Sequence, residues 1–202
     1  MGWYMVSSGL IDRVDVSHFR LSVHLIVAFI ILSLILWNYL KFSEVNKSTH
    51  EINNLLPITF IILVFIQIII GAFVAGMDAG KIYNTWPLMG SSYFPDDNKF
   101  INILSLSAFS DPSLVQFMHR NLAYIISLFY IYILFKIFKK KLHSFYKIII
   151  LIGVLLFAQI LLGILTLLLG AEIWISSMHQ ISSIFLVSSS VYFFYLNFNQ
   201  QP

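Results

Sequence analysis

An all-α polytopic membrane protein is the fold class that the sequence predicts. Of its 202 residues, 59% are hydrophobic and only 10% are charged, whereas a soluble domain carries roughly 25% charged residues. The apolar residues fall in blocks of about 20 or more, the length that one helix needs to span a bilayer. The chain has no cysteine, which excludes disulfides, thiolate chemistry and iron-sulfur ligation. We therefore expect five transmembrane helices preceded by a helix fragment.

Five apolar segments are each long enough for one crossing. They cover residues 21–40, 55–77, 114–138, 145–169 and 173–196. Pro57 lies in the first turn of its segment, where its missing N–H costs little. Residues 2–10 form an apolar stretch that is too short to span and lacks the basic leader of a signal peptide. We interpret it as the end of a helix whose beginning precedes Met1.

The orientation of the helices follows from the lysines and arginines in the short loops. The connection at residues 136–147 holds five lysines and no acid, so we expect it on the cytoplasmic side. Loop 41–54 then lies inside and residues 78–113 lie outside. Because the lysines of a chain with a net charge of only +3 cluster in one short loop, the charge indicates membrane orientation and not nucleic-acid binding.

The predicted outer loop, residues 78–113, is far longer than an ordinary connection between helices. Such a length indicates a function or a segment lying in the membrane interface. The alternative is a tether that merely joins two helices. Within the loop, residues 99–109 are predicted to form a short surface helix.

Two histidines, His119 and His179, stand at nearly the same depth in their apolar segments. Intramembrane histidines are costly and usually serve a function. Two neutral imidazoles at one depth can hold one metal between helices. Because no other polar set converges there, the iron of an apolar macrocycle is favoured over a hydrated ion. The alternative is a pair of buried histidines that bond to Gln159 or to a backbone carbonyl.

An internal repeat links these histidines to the helices before them. Residues 65–71 match residues 157–163 at a constant offset, with Gln67 and Gln159 each followed four residues later by glycine. Such a glycine permits close backbone approach while the amide bonds across to a neighbouring helix. Residues 2–10 resemble the glycine end of the same unit, followed by His24. We therefore expect His24 to have a partner on a helix upstream of Met1.

Several segments of the chain resemble the heme A synthases of alphaproteobacteria and mitochondria. The matching residues are 2–6, 8–10, 20–21, 24–25, 71–80, 83–89, 116–117, 119–120 and 179–180. The most specific is Tyr83-Asn84-Thr85-Trp86-Pro87-Leu88-Met89 together with Asp78-Ala79-Gly80, which helix periodicity alone would not produce. The resemblance covers essentially the whole chain.

This resemblance implies eight transmembrane helices in two four-helix halves, each holding a heme between two histidines. Residues 1–54 would be the remnant of an N-terminal bundle for the substrate heme. Residues 55–202 would be the C-terminal four-helix bundle, with the outer loop 78–113, and would hold heme b. His119 and His179 match the axial ligands of that heme iron, whereas His24 matches the heme O site.

The acid that the family is proposed to use in catalysis has no counterpart in this sequence, so the catalytic residue is unknown. We expect the chain alone to be incomplete for catalysis. Asp78 and Glu172, at outer helix ends, are the first acids to examine. Arg120, beside His119, is expected to hold a heme propionate through its planar fork, and the alternative is snorkelling to lipid headgroups.

The function that the resemblance implies is oxidation of the C8 methyl group of heme O to the formyl group of heme A, with heme b as cofactor. The alternative is a bis-histidine b-type cytochrome that transfers electrons. The implied location is the inner (cytoplasmic) membrane, or the mitochondrial inner membrane in a eukaryote. Implied partners are heme O, the lipid bilayer, a heme O synthase, cytochrome oxidase assembly proteins and a second copy of the chain, but not nucleic acid.

Overall fold

The computed structural model describes residues 2, 3, 7, 16–46 and 48–198. Within them the chain forms five long helices, which we label in chain order. They are α1 (His18–Phe42), α2 (Leu55–Gly76), α3 (Pro112–Lys139), α4 (Tyr146–Leu168) and α5 (Ile173–Asn197). The all-α fold class is thereby confirmed, and the five predicted segments correspond one to one to these helices.

The helices pack as a bundle around one main apolar core. Helix α4 lies along α5, α1 along α2, and α2 along α3, with α5 also touching α1 and α2. Phe60, Ile133, Ile152 and Val187, from α2 to α5, are buried in the same core cluster as Phe29 of α1. The division at residue 54 therefore does not separate two cores among the described residues, and the assignment of two functional units stays a prediction.

Four of the helices are long and apolar enough to cross a membrane: α1, α2, α3 and α4 extended to His143. Their outward faces remain exposed apolar surface, as lipid-facing helices require. The chain is therefore a multi-pass membrane protein.

Helix α5 has the same length as α1 but is less apolar because it is rich in serine. Its serine hydroxyls donate to carbonyls of the same helix, as from Ser190 Oγ to the Leu186 carbonyl at 2.7 Å. Internal bonding of this kind removes much of the cost of a hydroxyl in an apolar setting. Helix α5 is not among the four candidate spans, so its crossing of the membrane stays a prediction.

Local signals explain where the helices begin and turn. The Asp111 side chain accepts a hydrogen bond from the Leu114 N–H at 3.0 Å, and Pro112 occupies the first position of α3. Between α4 and α5 the chain turns through Gly170 at φ 68°, a left-handed conformation that glycine adopts without steric cost. The tight turn keeps α4 and α5 antiparallel neighbours.

The outer loop is ordered by short helical turns. These are 3₁₀ helices at Ala79–Lys81, Phe100–Leu104 and Leu106–Ser110. The expected single surface helix at residues 99–109 is therefore wrong in detail, because Ser105 is extended and divides it into two turns. The Ser105 hydroxyl donates to the Asn102 carbonyl at 2.8 Å, which competes with continued helix.

Most of the N-terminal helix fragment lies outside the described residues. Gly2, Trp3 and Ser7 are described, and they are helical.

At the opposite end of the bundle, Asn197 joins the end of α5 to the 43–54 connection. Its side chain accepts from the Ile52 N–H at 2.8 Å and donates to the Ile52 carbonyl at 2.9 Å. These two hydrogen bonds hold the α1–α2 connection against α5.

Candidate functional site

The structure brings His119 of α3 and His179 of α5 together. Their ring centroids are 6.5 Å apart and the ring planes are nearly perpendicular, at 82°. Each histidine stands about two turns inside the N-terminal end of its helix. The sequence-predicted pair at one depth is therefore a facing pair in space, whereas its role as a ligand pair stays a prediction.

Helix α2 holds His119 through the glutamine and glycine of the repeat. Gln67 Nε2 donates to the His119 carbonyl at 3.0 Å and lies 3.3 Å from His119 Nε2. A Cβ placed on Gly71 would stand 3.0 Å from His119 Cε1, closer than a methyl group and a ring carbon normally approach. The absence of a side chain at residue 71 therefore makes room for the imidazole.

Helix α4 holds His179 in the same way. Gln159 Nε2 donates to the His179 carbonyl at 2.9 Å, and a Cβ on Gly163 would stand 3.1 Å from His179 Cε1. Ser182 adds a link that the other half lacks, because its hydroxyl donates to Gln159 Oε1 and to the His179 carbonyl. The repeat predicted from sequence thus forms the same contacts around both histidines. We call each set, a glutamine bonded to the histidine carbonyl and a glycine against the histidine ring, a cradle.

Both rings keep one buried nitrogen without a hydrogen-bond partner, Nδ1 of His119 and Nδ1 of His179. Unpartnered buried polar atoms are rare and call for an explanation such as an unseen ligand. An imidazole nitrogen binds a transition metal at about 2.0–2.1 Å, so a metal in line between two rings leaves their centroids about 6.5 Å apart. The observed separation of the rings fits that arrangement.

The pair is not by itself a complete site for a bare metal ion. Among the described residues, no group of three or more histidine, cysteine, aspartate or glutamate side chains converges to hold one. A structural or catalytic ion normally takes three or four protein ligands. Two imidazoles facing each other in an apolar bundle therefore fit an iron whose remaining ligands come from a macrocycle.

Arg120, next to His119, points its guanidinium into the outer loop. Nη2 donates to the Tyr83 carbonyl at 2.9 Å, and Nη1 donates to the Thr85 carbonyl at 2.9 Å and the Leu88 carbonyl at 3.3 Å. The third nitrogen of the guanidinium, Nε, is buried and unpartnered. The side chain thus fastens the Tyr83–Met89 run to α3, and its predicted contact to a propionate stays a prediction.

Further bonds dock the outer loop on the outer ends of α3 and α4. Sequence reasoning did not identify these contacts. They are Gln116 Nε2 to the Tyr83 carbonyl, Trp86 Nε1 to Tyr124 Oη, Tyr93 Oη to Asn121 Oδ1, and Asn84 Nδ2 to the Leu167 carbonyl. The one available signal was the presence of Gln116, Arg120, Asn121 and Tyr124 near the start of an otherwise apolar helix. The loop is therefore docked and is not a slack tether.

Asp97 is the central acceptor inside the loop. It accepts from Tyr83 Oη at 3.0 Å and from Ser113 Oγ at 2.6 Å. Burial raises the pKa of the Asp97 carboxyl, but the bonds from Ser113, Tyr83 and Asn98 outweigh it and leave the pKa below its ordinary value. Burial raises the pKa of the Tyr83 hydroxyl most, and its hydrogen bond to Asp97 raises this pKa further. Asp97 therefore stays ionised and ties the start of the loop to its end.

The other predicted site residues lie apart from the pair. His24 is half-buried in α1, its Nδ1 is buried without a partner, and a Cβ on Gly2 would stand 3.6 Å from its Cε1. No ring contact joins His24 to His119 or His179 in the described part of the chain. Asp78 pairs with Lys81 at 2.8 Å on the surface, and Glu172 is the exposed residue preceding α5.

Comparison with known proteins places the chain in a family. Residues 1–191 match the model of a family described as cytochrome oxidase assembly protein. A protein named heme A synthase from Pelagibacter ubique (strain HTCC1062) is 45% identical over 199 residues, which cover 98% of this chain and 59% of the relative. No solved structure matches the chain.

Two rickettsial proteins, also named heme A synthase, are similar over nearly the same region. That of Rickettsia bellii (strain OSU 85-389) is 41% identical over 193 residues, covering 93% of this chain and 57% of the relative. That of Rickettsia felis (strain ATCC VR-1525 / URRWXCal2) is 37% identical over 201 residues, covering 97% and 59%. The chain thus spans a little under 60% of the length of the curated relatives it matches.

Proposed function

The chain belongs to the cytochrome oxidase assembly protein family, and from that membership we propose that it serves in heme A biosynthesis, as its relatives' names indicate for them. The proposed reaction is oxidation of the C8 methyl group of heme O to the formyl group of heme A. The observation that carries the proposal is the pair of imidazoles, His119 and His179, facing each other across one gap with a glutamine-glycine helix behind each.

In this proposal the C-terminal bundle would hold heme b, and His119 and His179 would bind its iron. When bound, such a heme supplies one-electron transfer. The protein's part is to fix both imidazoles before the cofactor arrives. Gln67 and Gln159 fix the backbone carbonyl of each ligand residue, while Gly71 and Gly163 leave room for the rings. A preorganised ligand pair reduces the ordering cost of binding.

The outer loop has the role of a cover in this proposal. Arg120 joins it to the helix turn that carries His119, and its unpartnered Nε is the donor available to a propionate. The neighbouring Gln116 side chain has a buried Oε1 without a partner. Docking of the loop keeps water from the outer end of the bundle, where the two histidines lie.

We assign the heme O site to the part of the protein that includes His24. Its half-buried ring has an unpartnered Nδ1 and faces Gly2, which repeats the glycine-histidine contact at His119 and His179. Residues 1–54 would then contribute one side of the substrate bundle. The other side would correspond to the part of the longer relatives that this chain does not match. The catalytic group stays unassigned.

The electron-transfer alternative, a b-type cytochrome without a substrate site, is not supported by the relatives, whose names state heme A synthase. We place the protein in the inner (cytoplasmic) membrane, or in the mitochondrial inner membrane of a eukaryotic source. The outer face would then be periplasmic or in the intermembrane space. A heme O synthase, which makes the substrate, cytochrome oxidase assembly proteins and a second copy of the chain are the proposed protein partners.

The test is to express the chain in membranes that contain heme O and to extract and identify the hemes. One arm contains the chain alone. A second arm adds the part of the Pelagibacter ubique relative that the chain does not match. We expect heme A only in the second arm, and we expect the His119→Ala and His179→Ala variants to abolish it there.

The full-length relative, expressed in parallel, shows that the membranes support the reaction. If it makes heme A and the complemented chain does not, the proposed function is contradicted. Heme A made by the chain alone would contradict the division between the two halves and would direct attention to Asp78 and Glu172.

A further inference from the structure

A stripe of four residues runs along α3 toward the end that carries the lysines. Leu128, Tyr132 and Lys136 follow one another at intervals of four in α3, and Lys140 follows at the same interval directly after the helix ends, so that each lies near the next. Leu128 and Tyr132 are 68% and 44% exposed. The order along the stripe is apolar, aromatic, basic, basic, which is the order of hydrocarbon, interface and headgroup in a lipid leaflet.

The basic end of this stripe opens into a small cavity. Its volume is about 160 Å³, and it is lined by Ile52, Asn53, Leu56, Tyr132, Lys136 and Lys140. The cavity lies between the start of α2 and the end of α3. Its lining therefore combines two apolar residues with two lysines, one asparagine and one tyrosine.

The lysines of this cavity form no ion pair among the described residues. The Lys136 ammonium lies over the Tyr132 ring, 5.3 Å from its centroid, and no carboxylate forms an ion pair with Lys136 or Lys140 in that part of the chain. The Tyr132 hydroxyl has no hydrogen bond to the described residues either. Two lysines and a tyrosine hydroxyl that line one cavity are suited to a phosphate group.

We propose that this cavity binds the headgroup phosphate of an anionic phospholipid. Lys136 and Lys140 contact the phosphate and glycerol oxygens, Tyr132 donates to the ester region, and an acyl chain lies along Leu128. Continuity with the exposed apolar surface of α3 selects a lipid over a soluble anion, because a free phosphate would leave that part of the stripe unused. Basic pockets between transmembrane helices are suited to such headgroups.

A second stripe on the same helix provides a matched control. Ile131, Phe135 and Lys139 repeat the apolar, aromatic, basic order, and the Lys139 ammonium lies 5.5 Å from the centroid of the Phe135 ring. None of these three residues lines the cavity. Substituting Lys139 therefore removes the same charge from the same end of α3 and leaves the cavity intact.

The experiment is native mass spectrometry of the purified chain with phosphatidylglycerol and, separately, phosphatidylcholine of the same acyl chains. Lys141, like Lys139, does not line the cavity, so the compared proteins are wild type, Lys136→Gln/Lys140→Gln and Lys139→Gln/Lys141→Gln. Each lysine strengthens binding to anionic lipid by about fivefold, so we expect the first phosphatidylglycerol to bind the cavity variant about 25-fold more weakly. We expect the control variant to bind as wild type does and phosphatidylcholine to bind weakly to all three.

A charge-conserving variant, Lys136→Arg/Lys140→Arg, separates loss of binding from loss of folding, since it keeps both cations and is expected to bind phosphatidylglycerol. Equal loss in the cavity and control variants would overturn the proposal and indicate general surface charge. Equal binding of both lipids would also overturn it. Displacement of the lipid by millimolar inorganic phosphate would assign the cavity to a free anion instead.

Discussion

At the scale of single residues, the glycines that face the histidine rings set the tightest steric limits in the candidate site. Gly71 and Gly163 stand where a Cβ would approach His119 and His179 within 3.0 and 3.1 Å. Protein interiors accept such overlap only if the neighbour moves. A methyl group added at either glycine would therefore displace the imidazole that it contacts.

The first prediction is that Gly163→Ala weakens heme binding. The added methyl group displaces the His179 ring, and overpacking of this kind costs about 1–3 kcal/mol. The measurement is a heme titration of the purified chain followed by visible absorption. Gly80→Ala is the control, because its Cβ would meet its nearest neighbour, Ala171, at an ordinary 3.4 Å. Equal affinities of the two variants would contradict the cradle.

The second prediction concerns the acidity of the outer loop. Because the hydrogen bonds to Asp97 lower its pKa below the ordinary 3.8, its stabilisation is complete above that value and is lost as the pH falls through the lower, folded-state pKa. We expect loop amides to keep their hydrogen-exchange protection from neutral pH to about pH 4 and to lose it below.

The Asp97→Asn variant has no carboxylate to protonate at this position. It should therefore show less acid-dependent opening than wild type once intrinsic exchange rates are taken into account. Asp96 accepts from Ser92 and Ser91, and these bonds also lower its pKa, so Asp96→Asn/Asp97→Asn should remove most of the dependence. An unchanged acid response in the double variant would show that other groups hold the loop.

Sequence reasoning succeeded for residues whose neighbours are set by helix periodicity. His119 and His179 were predicted to lie at one depth, and the structure places their ring centroids 6.5 Å apart with the ring planes nearly perpendicular. It did not find the three carbonyls that Arg120 contacts, because they belong to an irregular stretch more than 30 residues away in sequence. No periodic pattern relates such a stretch to a helix.

At the scale of helices, the repeat is a two-helix unit that presents one histidine. In α2–α3 and again in α4–α5, a glutamine amide on the first helix donates to the carbonyl of the histidine on the second. Hydrogen bonds between helices in a membrane fix their rotation and depth. The two units therefore place their histidines alike because the same contact sets the register in both.

The third prediction is that Gln159→Leu destabilises this register. It removes the bond to the His179 carbonyl and leaves the Ser182 hydroxyl without Gln159 as an acceptor. We expect a loss of about 1–3 kcal/mol in the free energy of unfolding, measured by thermal or denaturant unfolding of the heme-loaded chain. The exposed Gln180 is the control site, and a Gln180→Leu variant of equal instability would contradict the assigned role.

The elements that sequence reasoning placed less well are those without apolar periodicity. The five helices were found within a few residues because length and hydropathy define them. The 99–109 segment was expected to be one helix, but Ser105 divides it into two 3₁₀ turns. The break coincides with a bond from the Ser105 hydroxyl to the Asn102 carbonyl, and such local bonds are not visible in hydropathy.

At the scale of the whole molecule, the fourth prediction is that the outer loop and the lysine-rich loop lie on opposite sides of the membrane. The charge asymmetry of residues 136–147 motivates it. Single cysteines at Ser107 and Ser144, both exposed, are treated with an impermeant thiol reagent in intact cells. We expect labelling at residue 107 only. Labelling at residue 144 from outside would contradict the topology.

The central claim is that the bundle is organised around one heme held by His119 and His179. The most direct measurement is the electron paramagnetic resonance and visible spectrum of the purified heme-loaded chain, compared with the His119→Ala and His179→Ala variants and with His143→Ala as the control. We predict a low-spin, bis-histidine signal in wild type and control, and its loss in both site variants. A low-spin signal that persists unchanged in His119→Ala and His179→Ala would contradict the claim.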